Sequence, residues 1–64
     1  MNLIDAAHDI ALEIRDGAWS HVDCLRVRPA AACPEIVDEL RRRSPGHSLE
    51  QYQKAIADGL FGTR

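Results

Sequence analysis

The chain has 64 residues, 45% of them apolar and 28% charged, with a formal net charge of −2. That length holds one domain, residues 1–64, and a domain this small buries only about 60% of the surface its unfolded chain exposes. The composition excludes a disordered chain and a membrane span, no secretory leader is recognisable, and the acidic balance lacks the basic excess of a dedicated nucleic-acid binder.

With one Trp, one Tyr and one Phe, the core must rest on Leu, Ile, Val and Ala. A homodimer is one way for such a chain to bury more. Two cysteines, Cys24 and Cys33, do not make a disulfide scaffold. The expectation is a cytoplasmic protein with reduced thiols.

Residues 2–16 are predicted to form the first helix. Asn2 is a good N-cap, and Asp5 sits near the positive end of the helix dipole. Leu3, Ile4, Ala7, Ile10, Ala11 and Ile14 share one arc of the helical wheel, about a third of its circumference. Leu12 lies off that stripe and is a candidate contact to a partner. Gly17 is the stop signal.

Residues 18–32 are less regular. Trp19 is expected to anchor the core over the first helix. Residues 22–27 read as a short extended segment that pairs with residues 60–63, although Ser20 with Asp23 also suits the start of a short helix. Arg28 precedes Pro29 and should be extended.

Residues 33–43 are predicted to form the second helix. Pro34 fits its first turn, and Cys33, Ile36, Val37 and Leu40 share its inner face. Asp38 with Arg42 and Glu39 with Arg43 are acid-before-base pairs one turn apart. Ser44-Pro45-Gly46 ends the helix, with Gly46 free to take positive φ. The third helix is placed at 48–60. Ser48 and Gln51 form a capping box, Leu49, Tyr52, Ile56 and Leu60 form an apolar stripe, and Gly59 is the expected C-cap. The fold class is thus mainly α: a small three-helix domain with a helix-turn-helix-like second half and one short extended pair.

No catalytic constellation is legible. The chain lacks G-x-x-x-x-G-K-[ST], G-x-S-x-G and H-E-x-x-H, so an enzyme is not expected, and no cofactor is implied. His21, Cys24, Cys33 and His47 are the residue types of a zinc site, but they lack the second close pair of a structural finger, and Cys33 lies on the core face. The fold is therefore expected to need no metal.

Pro34 to Phe61 resembles the core of small bacterial winged-helix regulators. The resemblance rests on Ile36, Val37 and Leu40, the turn Ser44-Pro45-Gly46-His47-Ser48, the stripe Leu49, Tyr52 and Ile56, and the closing Gly59-Leu60. It implies a regulatory protein whose last helix enters the major groove of double-stranded DNA. By position, Gln51 and Lys54 would then face bases, His47 and Ser48 a phosphate, and Arg41, Arg42 and Arg43 the backbone. Glu50 and Asp58 on the same helix would repel phosphate. The alternative is a protein–protein interaction module, such as an adaptor, an inhibitor or a phage-type accessory protein, that binds no nucleic acid.

Overall fold

The computed structural model describes residues 2–62, and these form a mainly α fold. Helix α1 spans Leu3–Arg15, the one-turn α2 spans Cys24–Val27, α3 spans Pro34–Arg43 and α4 spans Leu49–Gly62. A 3₁₀ turn at Ala30–Ala32 leads into α3.

Local chemistry sets the helix ends. The Asp5 N–H donates to the Asn2 side-chain oxygen at 2.8 Å, which closes the start of α1. At the other end Gly17 takes φ +88°. Its N–H bonds to the Ile14 carbonyl and that of Ala18 to the Glu13 carbonyl, the paired bonds of a Schellman ending. Gly46, at φ +95°, turns the chain between α3 and α4. Ser48 and Gln51 then cap α4 reciprocally. The Ser48 N–H donates to Gln51 Oε1 at 2.8 Å, and the Gln51 N–H donates to Ser48 Oγ at 3.2 Å.

The inner faces meet as the spacing predicts. Ile10 of α1, Cys33, Ile36, Val37 and Leu40 at and along α3, and Tyr52 and Ile56 of α4 form one buried cluster with Ala6, Ala7 and Ala30. Trp19 is half-buried against this cluster, and its indole N–H donates to Glu13 Oε1 at 3.2 Å.

Four expectations are corrected. First, there is no strand among the described residues. Residues 24–27 are helical, and residues 60–62 are the last turn of α4, so the pairing of 22–27 with 60–63 does not form; residue 63 lies outside the described residues. A short helix forms there instead, but it opens at Cys24 with Asp23 in the N-cap position and without a side-chain cap, not after Ser20.

Second, Cys24 and Cys33 are joined in a disulfide rather than held as free thiols. The extended Arg28, Pro29 and the 3₁₀ turn fold the connection back. The two Cα atoms come within 5.8 Å, inside the usual disulfide range.

Third, Gly59 is no cap: α4 runs through it to Gly62. A Cβ at Gly59 would sit 3.0 Å from the Ala7 carbonyl oxygen, so its bare backbone is what lets α4 approach α1 so closely. Fourth, Leu3, Ile14 and Leu60 pack against the core as expected, but two other stripe residues, Ile4 and Leu49, do not reach it. Ile4 is 77% exposed, Leu49 is 53% exposed, and Phe61 also lies largely in solvent. The contact between α1 and α4 centres on the small residues, which leaves Ile4 on its outer lip.

Candidate functional site

Six of the seven residues suggested by the helix-turn-helix resemblance fall into three groups. Arg43 turns inward. Its guanidinium makes a two-pronged pair with Glu13 of α1, Nη1 to Oε2 at 2.8 Å and Nη2 to Oε1 at 2.9 Å, while its Nε donates to Glu39 at 2.8 Å. The hydrogen bonds from Arg43 hold the Glu13 carboxyl below its ordinary range, against the opposing effect of burial; the Trp19 indole adds to the lowering. The same bonds to Glu13 push Arg43 further above its already high value. Arg43 is thus a strut between α1 and α3.

Ser48 and Gln51 form the second group. Each spends its side-chain oxygen on the other's backbone N–H, so the helix start is satisfied from within.

The third group faces outward. The Arg41 guanidinium lies over the Tyr52 ring, 5.5 Å from its centroid, and its Nη1 is 3.5 Å from Asp38. The His47 ring meets the same tyrosine edge-on at 5.7 Å. Tyr52 itself is buried, donates its hydroxyl to the Ser44 carbonyl at 2.9 Å and accepts the His47 N–H at 3.2 Å. One tyrosine therefore organises the whole turn. Arg42 is exposed and pairs with Glu39 at 3.5 Å rather than with Asp38.

Lys54 stands apart from these. It lies with Leu3, Ile4, Gln51, Ala55 and Asp58 along the outer seam between α1 and α4. An adjoining groove in the same seam is lined by Ile4, Asp5, His8, Ala55, Asp58 and Gly59. Leu3 and Ile4 sit beside Gln51 and Lys54, and Ala7 sits beside Gly59, so the two helices advance in the same direction. The result is a shallow channel with a floor of small residues, an exposed isoleucine on one lip and Asp5 and Asp58 at its edges. Leu12, the partner-contact candidate read from the sequence, is 36% exposed and lies outside this channel.

Sequence reasoning missed this seam because it assigned Ile4 to the core. One signal was present: Ile4 lies at the edge of the apolar arc, 100° from Leu3 on the wheel. Among the described residues, no three His, Cys, Asp or Glu side chains converge where a metal ion could be held. Among the same residues, no helix is long and apolar enough to cross a membrane.

No family model, curated protein or solved structure matches this chain.

Proposed function

We propose that the protein is a small interaction module that docks a segment of a partner protein on its α1–α4 seam. The occupant that suits the seam is an apolar side chain flanked by Lys or Arg. The observation that carries this reading is the exposed Ile4, set beside a groove that Asp5 and Asp58 border. An apolar side chain gains by covering Ile4 and Ala55, and cationic flanks complement the two carboxylates. Lys54 and His8 at the same edges set the register of the approach. The role is one of binding, without chemistry.

Panning a random peptide library on the immobilised full chain tests this. The recovered peptides should carry an apolar residue between basic ones. They should bind Leu12→Asp as well as the parent protein and lose binding to Ile4→Asp. Binding that survives Ile4→Asp and is lost in Leu12→Asp would move the site to the Leu12 face and end this reading.

A second reading keeps the resemblance to winged-helix regulators, with α3 and α4 set against double-stranded DNA. It is favoured by the grouping of Arg41 and His47 on Tyr52, with Arg42 exposed next to Arg41. It is weakened by the inward turn of Arg43, the mutual capping of Ser48 and Gln51, and the place of Lys54 on another face. A mixed-sequence duplex titrated at low ionic strength separates the two. The interaction module gives no saturable binding. A regulator gives binding that weakens steeply with salt and falls when Arg41 and Arg42 are both replaced by Ala.

A further inference from the structure

The disulfide stands outside the docking seam, and its two halves differ sharply in setting. Cys33 is fully buried in the core cluster and occupies the N-cap position of the ten-residue α3. Cys24 is partly exposed and opens α2, a single turn that buries no residue completely. From Cys24 to Arg28 only Cys24 and Leu25 pack against the core. The covalent link is therefore the main tie between this segment and the body of the domain.

We propose that Cys24–Cys33 is a thiol–disulfide exchange site, a clasp that a dithiol reductant opens by attacking Cys24. A thiolate of the reductant attacks Sγ of the partly exposed Cys24, forms a bond to it and breaks the bond to Cys33. Cys33 is the leaving sulfur, at the N-cap position of α3, and it is reprotonated within the core. The second thiol of the reductant then attacks the reductant's own sulfur in the mixed disulfide and releases Cys24 as a thiolate. Two electrons pass from the dithiol to the protein. The two protons of the reductant's thiols end on Cys24 and Cys33, and the reductant leaves as its disulfide.

The structural consequence is local. A reduced Cys33 stays in the core as a small apolar side chain. The packing of Ile10, Ile36, Leu40, Tyr52 and Ile56 does not depend on the link. The segment from Cys24 to Pro29 gains freedom, and the cleft that Leu25 shares with Ile14, Trp19 and Val22 loosens. A disulfide of this kind holds in an oxidising compartment and opens in a reducing one.

The test uses the full chain purified in air and the same sample treated with dithiothreitol. The oxidised protein should show no free thiol and the reduced protein two. Hydrogen exchange read by mass spectrometry should quicken at 24–29 on reduction and stay unchanged at 3–15, 34–43 and 49–62. In parallel, Cys33→Ser leaves Cys24 alone and Cys24→Ser leaves Cys33 alone. With an aromatic disulfide reagent, Cys24 should react about tenfold faster or more, as its exposure requires. Free thiols in the air-purified protein would overturn the proposal. So would equal reactivity of the two cysteines, unchanged exchange on reduction, or a loss of protection throughout the chain, which would make the link a structural staple. Because the exchange comparison uses the parent sequence, misfolding of a variant does not decide the outcome.

Discussion

Two side chains hold more of this molecule together than their types suggest. Glu13 takes both Arg43 prongs and the Trp19 indole, and so ties α1 to the end of α3 and to the chain that follows α1. Its folded-state pKa is lowered, with the Arg43 hydrogen bonds the largest cause. A depressed carboxylate stabilises the fold above its unfolded pKa, near 4.3 for a glutamate, and that contribution is lost as pH falls through the lower folded value. Acid unfolding should therefore steepen below about pH 4.3. Glu13→Gln should lower the melting temperature at neutral pH and flatten that acid limb; a parallel limb in the variant would show that Glu13 does not carry the effect. Tyr52 plays the matching part at the turn. Tyr52→Phe keeps the ring under Arg41 but removes the partner of the Ser44 carbonyl and the His47 N–H. The expected cost is about 1–3 kcal/mol, measured by urea unfolding. An unchanged midpoint would mean that water replaces the hydroxyl without loss.

At the scale of elements, the packing of α4 on α1 turns on Gly59. An alanine inside a helix ordinarily stabilises by about 1 kcal/mol over glycine. Here the added methyl would meet the Ala7 carbonyl oxygen at 3.0 Å, and the backbone on the other side has little room to yield. Gly59→Ala should thus fail to stabilise, and Gly59→Leu should cost about 1–3 kcal/mol through overpacking. A gain of stability in Gly59→Ala would show that the helices can separate freely.

The same residue shows what the sequence conveys and what it withholds. The features that were legible act within one turn of chain: the Asn2 cap, the Ser48–Gln51 box, the stops at Gly17 and Gly46, and the Glu39–Arg43 pair. Gly59 was misread because a glycine near a helix end looks like a cap, and only the tertiary approach of Ala7 gives it another purpose. Arg43 reaches Glu13 across thirty positions of sequence. The Cys24–Cys33 link depends on the path through Arg28, Pro29 and the 3₁₀ turn. The docking seam was hidden for a related reason. Periodicity shows which residues share an arc, but it does not show which end of the arc a neighbouring helix will cover.

Taken whole, the domain rests on a small core. Ile10 and Ile56 are fully buried in it, from α1 and α4. Replacing either by Ala should cost about 2–5 kcal/mol, a large share of the stability of a chain this size. If both variants unfold at the parent midpoint, the buried cluster is wrongly drawn. With the core so occupied, the surface must supply any function, and two faces compete: the α1–α4 seam and the arginine-bearing turn. A single titration locates the one in use. A ¹H–¹⁵N correlation spectrum of the full chain is followed as a library-selected peptide, apolar with basic flanks, is added. The α1–α4 reading predicts that shifts concentrate at Ile4, Asp5, His8, Ala55, Asp58 and Gly59. Shifts confined to Arg41, Arg42, His47 and Ser48, with the seam unmoved, would contradict it.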